Sequence, residues 1–128
     1  MGWFQRLFSN APEARIERAD IFIAKGRLND ARIELEGLEE PQAKAKYEEI
    51  IGVLATKNLD EAQARFSSGD YQGAQDHLEL AKNFGATNED IRKIRQTGNK
   101  LKKERHQKVM EERRKKNTLK PVKTLRTP

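Results

Sequence analysis

The sequence has no cysteine, and this absence excludes several kinds of chemistry. Disulfide bonds, thiolate catalysis and cysteine-ligated zinc or iron–sulfur sites all need a residue that the 128-residue chain lacks. Its apolar runs are also short, and none approaches the ~20 residues that a membrane-spanning helix needs. The first ten residues, MGWFQRLFSN, hold too short an apolar stretch for a secretory signal. We therefore expect a cytoplasmic protein with no transmembrane segment.

The chain also has few residues suited to catalysis or to holding a cofactor. His77 and His106 are the only histidines, they lie in different predicted helices, and neither has an obvious nucleophile beside it. The eight glycines are scattered, so they form no phosphate-binding loop. Adjacent acidic residues such as Glu48 and Glu49 diverge by about 100° on a helix, so they do not converge on a metal or a substrate. We predict a protein that is not an enzyme and has no cofactor and no metal.

Charge is abundant but unevenly distributed. Charged residues make up 36% of the chain and hydrophobic residues 35%, so the core must be small. Residues 1–90 hold 11 Lys+Arg and 17 Asp+Glu, a net charge of −6, whereas residues 91–128 hold 15 and 3, a net charge of +12. This division predicts an acidic body and a basic C-terminal arm.

Strand signals are missing, because the sequence has no sustained alternation of apolar and polar residues and no Asn-Gly or Asp-Gly turn. Apolar residues instead recur every three or four positions, which is typical of helices. Prolines at 12 and 41 stand where helices favour a first residue, and glycines follow the predicted ends. The fold class is therefore predicted as all-α with about five helices, at residues 13–25, 29–38, 41–68 and 71–84 and from Thr87 or Asn88 onward.

The predicted domain ends where the apolar seam of the fifth helix ends. That seam runs through Ile91, Ile94, Gly98 and Leu101 and then continues into basic residues. We therefore predict a helical domain at 12–101, a projecting basic helix at 102–116 and a disordered tail at 117–128. Residues 1–11 are predicted to form a short amphipathic helix that either packs onto Phe22 or serves as a handle for a partner; its apolar residues are Trp3, Phe4, Leu7 and Phe8.

Two stretches of the sequence align with each other: AKGRLNDARIELEGL at 24–38 and SSGDYQGAQDHLELA at 67–81. Each has a glycine, a large residue two positions later, an alanine three further on and a leucine four after that. This pattern is typical of a helical hairpin, in which glycine permits the turn and alanine lets the second helix approach closely. The matched residues are Gly26 and Gly69, Leu28 and Tyr71, Ala31 and Ala74, and Leu35 and Leu78.

The pattern resembles the tetratricopeptide repeat (TPR), over about residues 12–85. Ala19, Ala62 and Ala81 match the small positions of that family, and Phe22 matches its large aromatic position. The resemblance has departures: Gly26 and Gly69 are 43 residues apart, whereas the family period is about 34, and Arg65 stands where an aromatic is expected. It implies antiparallel helical hairpins and a protein-binding role.

The resemblance also implies a partner-binding groove lined by the first helix of each hairpin. The chaperone-tail ligand of some family members is not implied, because the lysine and asparagine residues that bind it are absent. The alternative is that the apolar members of the groove belong to the core. The matching groove positions are Ile16, Asp20, Ile23, Leu59, Gln63 and Phe66.

The basic arm is either a solvated extension or a binding element for a polyanion. Residues 91–128 contain no Phe, Tyr or Trp, so the arm has no aromatic rings to stack on bases. If it binds nucleic acid, it would contact the phosphate backbone. An acidic protein surface, anionic lipid, or the acidic body of a second copy are the other candidates. The predicted polyanion-binding residues are Lys102, Lys103, Arg105, Lys108, Arg113, Arg114, Lys115 and Lys116.

The sequence thus favours a non-enzymatic adaptor or scaffold that binds a protein partner through its TPR-like helical surface and an acidic partner through its arm. The alternative is a nucleic-acid- or ribosome-associated protein that acts mainly through the basic helix.

Overall fold

The structure is a computed structural model that describes residues 9–119. Within these residues every regular element is a helix, so the predicted all-α class with five helices is confirmed. Residues 1–8 of the predicted N-terminal helix, with its four apolar residues, lie outside the described residues, as does the tail beyond Leu119. Residues 9–11, the end of that predicted helix, are not helical. The helices are α1 (Pro12–Ala24), α2 (Leu28–Leu35), α3 (Pro41–Ser68), α4 (Tyr71–Asn83) and α5 (Asn88–Leu119).

The first four helices form two hairpins, α1 with α2 and α3 with α4. The turns between them contain Gly26 at φ 74° and Gly69 at φ 90°, a left-handed conformation that glycine adopts without steric cost. In each hairpin the small residues predicted for close contact, Ala31 and Ala74, are fully buried. The two hairpin turns therefore occur at the glycines where the repeated pattern predicted them.

The two hairpins enclose two separate hydrophobic cores that share α3. The first core contains Ile16 and Ala19 of α1, Leu35 of α2, and Ala43 and Ile50 of the first half of α3. The second contains Ala62 and Phe66 of the second half of α3 with residues from α4 and α5, namely Ala74, Leu78 and Ile91. Helix α3 is thus the element that joins the two halves of the molecule.

Helix α3 uses a different face in each half. Since successive residues on an α-helix are about 100° apart, Ala43 and Ile50 lie along one line of the helix. Ala62 and Phe66 lie along another line, about a third of a turn away. The α1–α2 hairpin and helix α4 therefore pack on different sides of α3. Across the space between them, the Arg32 guanidinium of α2 lies 5.6 Å from the centre of the Phe84 ring at the end of α4.

Two helix ends differ from the prediction. Helix α2 stops at Leu35 instead of continuing to 38, because Glu36 is extended and Gly37 has φ 80°. Helix α5 continues through Leu119, three residues past its predicted end at 116, so residues 117–119 are helical instead of disordered. Leu38, which was predicted in the apolar stripe of α2, is buried although it lies beyond the end of the helix.

Candidate functional site on helix α5

The residues predicted to line a groove fall into two groups. Ile16 is 7% exposed in the first core and Phe66 is 3% exposed in the second, so both belong to the interior. Leu59 is half-buried and packs on the second core. Asp20, Ile23 and Gln63 are exposed.

The exposed members of the predicted groove do not meet. Asp20 accepts a hydrogen bond from Lys46 at 2.6 Å, near the start of α3. Gln63 lies 17 residues further along α3, which is about 25 Å at the rise of an α-helix. The additional length of α3 separates these exposed positions along the helix, and the shared groove stays a prediction.

Helix α5 is held firmly at its N-terminal half. The Thr87 hydroxyl accepts a hydrogen bond from the Asp90 amide at 3.1 Å and so caps the helix. Ile91 is buried in the second core. Gly98 is also buried, and a methyl group added there would lie 2.5 Å from the Phe66 ring. The absence of a side chain at 98 lets α5 approach α3 closely.

Contact between α5 and the body continues one turn beyond Leu101. The Lys102 ammonium lies 5.2 Å from the centre of the Tyr71 ring, a distance at which a cation is attracted to the ring face. The Arg105 guanidinium donates a hydrogen bond to the Ser67 carbonyl and lies against Gly69. These two predicted polyanion-binding residues therefore already contact the body. Arg105 follows Leu101 by four positions, a spacing that places it on the docked side of the helix.

The remaining part of α5, residues 106–118, is exposed at every position. It carries five of the predicted polyanion-binding residues, and Lys103 is exposed just before it. No ion pair among the described residues involves any of these six cations. They are Lys103, Lys108, Arg113, Arg114, Lys115 and Lys116.

One line of residues on the outer side of α5 is free of acidic residues along most of the helix. From Arg92 to Asn117 it covers 25 steps, or about 38 Å at 1.5 Å per residue. All its members are exposed, because the line lies opposite the docked residues Ile91, Gly98 and Leu101. We call this line the α5 stripe; it consists of Arg92, Gln96, Asn99, Lys103, Gln107, Met110, Arg114 and Asn117.

None of the three acidic residues of the basic half belongs to the α5 stripe, but Glu111 lies beside it and lines a surface depression with Gln107, Met110 and Arg114. Glu104, Glu111 and Glu112 each precede a lysine by four positions, and those lysines are Lys108, Lys115 and Lys116. Glutamate four residues before lysine is the favourable orientation for a pair on a helix surface, contributing about 0.2–0.5 kcal/mol. Among the described residues none of these three pairs is close enough to form an ion pair, but the spacing places equal numbers of acidic and basic residues together and leaves the excess of positive charge elsewhere on the helix.

A polar network stabilises the corner between α3 and α4. Arg65 donates to Glu61 and to Asp70, both at 2.9 Å, and these bonds raise the pKa of Arg65. Asp70 accepts the Gly73 amide at 3.0 Å and so caps α4. That bond, with a further contribution from Arg65, lowers the pKa of the Asp70 carboxyl. The network is local to the turn and lies outside the α5 stripe.

Other parts of the described molecule show fewer features of a binding site. A cleft of about 310 Å³ between α4 and α5 is lined mainly by polar residues, among them Gln75 and Arg95. The His77 ring nitrogen lies 2.9 Å from the Asn58 side-chain oxygen, whereas His106 is exposed on α5. Residues 9–119 contain no group of three or more histidine or acidic residues placed to hold a metal ion. No helix in this range is both long enough and apolar enough to cross a membrane.

No protein-family model, curated protein or solved structure matches the chain.

Proposed function

We propose that this protein is a non-enzymatic interaction module, in which a TPR-like helical body holds the basic helix α5 out toward an acidic partner. The observation that carries the proposal is the free segment of α5. Residues 106–118 are exposed throughout, and their cations form no ion pair among the described residues. Net positive charge on an extended element attracts oppositely charged partners and speeds their association.

The TPR-like character of the body is part of the proposal. Its support is the pair of hairpins with left-handed glycines at their turns and equivalent leucines, Leu35 and Leu78, each 1% exposed. In this interpretation α5 closes the second hairpin. Its outer side is polar, as is required of an element that ends a stack of repeats.

The body serves in this proposal as a mount for α5. Gln63 lies about 25 Å along α3 from Lys46, the partner of Asp20, so the proposal assigns no shared peptide site to these positions. The docked half of α5 instead connects the second core to the free segment through one continuous helix. A rigid connection of this kind fixes the direction in which the cations are presented.

Chromatography of the full-length protein on immobilised heparin, a soluble acidic polymer, tests the proposal. The triple variant Lys103→Gln, Arg113→Gln, Arg114→Gln should elute at clearly lower salt than the unmodified protein. It makes fewer contacts with the polymer, so its binding releases fewer counterions. The matched control is Lys25→Gln, Lys57→Gln, Lys82→Gln, which removes the same charge from exposed positions of the body. Equal shifts for the two triple variants would show that net charge alone decides binding, and the proposal would be wrong.

A further inference from the structure

The α5 stripe has a composition that selects among acidic partners. We infer that this stripe docks on the phosphate backbone of a nucleic-acid duplex. The inference rests on the proposed function, since it names the partner of the same helix. Its starting point is the distribution of charge around α5: Arg92, Lys103 and Arg114 lie on the stripe, whereas Glu104, Glu111 and Glu112 do not. Glu111 lies beside the stripe, next to Arg114.

Amide side chains lie between the cations of the stripe. Gln96, Asn99, Gln107 and Asn117 are all exposed, and amide groups both donate and accept hydrogen bonds. Arginine, lysine, asparagine and glutamine together are the side chains that contact phosphates and base edges in nucleic-acid complexes. An acidic protein surface needs cations but has no particular use for this row of amides.

The length and the missing aromatics of the stripe favour a duplex. Single-stranded nucleic acid is usually bound by stacking bases on aromatic rings, and residues 91–128 contain no Phe, Tyr or Trp. The stripe is about 38 Å long at the rise of an α-helix, close to the ~34–36 Å of one duplex turn. A stripe of this length can reach several phosphates without any unstacking of bases.

The same residues argue against a membrane surface. Met110 is the only apolar residue of the α5 stripe, whereas helices that lie in a membrane interface bury a broad apolar face among the lipids. Val109, the other exposed apolar residue of the free segment, lies on a different side of the helix. Attraction to anionic lipid would depend on charge alone.

The test measures fluorescence anisotropy of labelled nucleic acid with the full-length protein at salt from about 50 to 200 mM. The probes are a DNA duplex of about 20 base pairs, which spans about two helical turns, an RNA duplex of the same length, and the DNA single strand. Polyglutamate of similar charge and phosphatidylserine vesicles compete against them. We expect either duplex to bind more tightly than the single strand. The tighter of the two duplexes shows whether the partner is DNA or RNA.

Two double variants separate the stripe from net charge. Lys103→Gln, Arg114→Gln removes two stripe cations, and Lys108→Gln, Lys115→Gln removes two cations from the other side of the same helix. For the first we expect the slope of log affinity against log salt to fall in magnitude by about 1.8, which corresponds to two lost phosphate contacts. For the second the slope should be almost unchanged. Circular dichroism checks that both variants keep the helix content of the unmodified protein.

Several outcomes overturn the inference while leaving the proposed function intact. These are equal slopes for the two double variants, competition by polyglutamate as strong as that by unlabelled duplex, a preference for the single strand, or a preference for the vesicles. If the full-length protein binds neither heparin nor any of these probes, the proposed function is wrong as well.

Discussion

The two hairpins follow the same pattern of glycine, large residue, alanine and leucine, but two of the matched positions that differ affect the ends of their second helices. Where the second hairpin has Asp70, the first has Arg27; where the second has Leu80, the first has Gly37. Asp70 caps α4 with its carboxylate, whereas α2 has no side-chain cap. Gly37 has φ 80° and lies two positions after the end of α2, which has 8 residues, whereas α4 has 13.

This comparison shows that the repeated residues determine the corner, and that the residues between them determine how far each helix extends. The second hairpin gains a longer helix, and α5 then packs on it through Ile91 and Gly98. Within the described residues, the first hairpin has no further helix on its core beyond the first half of α3. The basic element is therefore mounted on the better-capped half of the molecule.

The largest expected effect comes from truncating the equivalent leucines. Leu35→Ala and Leu78→Ala each leave a cavity in one core, because both side chains are 1% exposed. We expect each to lower the free energy of unfolding by about 2–5 kcal/mol, measured by urea denaturation. Hydrogen exchange should accelerate mainly in α1 and α2 for the first variant, and mainly in α4 and α5 for the second.

The control for these leucines is Ile33→Ala, whose side chain is 52% exposed, and it should change stability by no more than about 0.5 kcal/mol. If either leucine variant accelerates exchange evenly through all five helices, the two cores form one cooperative unit and the division into halves is wrong.

A smaller effect should come from the glycines within helices. Gly52 has open space where a methyl group would stand, whereas at Gly98 that group would meet the Phe66 ring. Gly52→Ala should therefore stabilise the protein by about 0.5–1 kcal/mol through helix propensity. Gly98→Ala should destabilise it by about 1–3 kcal/mol, because the ring must move. Thermal unfolding measures both changes in stability. A stabilised Gly98→Ala variant would show that α5 and the Phe66 ring can move apart to accommodate a methyl group, and the close packing at Gly98 would not be required.

The smallest effect should come from the charge of the cap that only the second hairpin has. The pKa of Asp70 is lowered in the folded protein, so its contribution to stability is complete above the ordinary value of about 3.9. That contribution is lost as pH falls through the lowered pKa. Asp70→Asn keeps an oxygen that can accept the Gly73 amide but loses the ion pair with Arg65. We expect the variant to be less stable at neutral pH and the difference to vanish in acid, measured by urea denaturation across pH. A difference that is independent of pH would mean that the charge of Asp70 plays no part.

Helix positions were predictable because they depend on local features. The third helix was predicted at 41–68 and is found at Pro41–Ser68, since a proline and a glycine mark its ends. The seam of α5 was also predictable, because Ile91, Ile94 and Leu101 recur at helical spacing. These features are encoded within a few residues of each other.

The arrangement of the helices was not predictable in the same way. The separation of the exposed groove positions was not predicted, because the buried face of α3 turns by about a third of a turn between Ile50 and Ala62. A list of apolar positions does not show which of them face the same neighbour. The contact of Arg105 with Ser67 depends likewise on where the long helix passes the corner, which is a property of the tertiary packing.

The separation of acidic and basic residues around α5 has a consequence for encounter in solution. A rod that is positive along one flank and balanced along the other carries a charge moment perpendicular to its axis. In the field of a polyanion such a rod experiences a torque, which turns its positive flank inward before any atoms touch. The molecule would then approach with the positive flank of α5 facing the polyanion. The body, which is fixed to the opposite flank by Gly98 and Leu101, would face away from it.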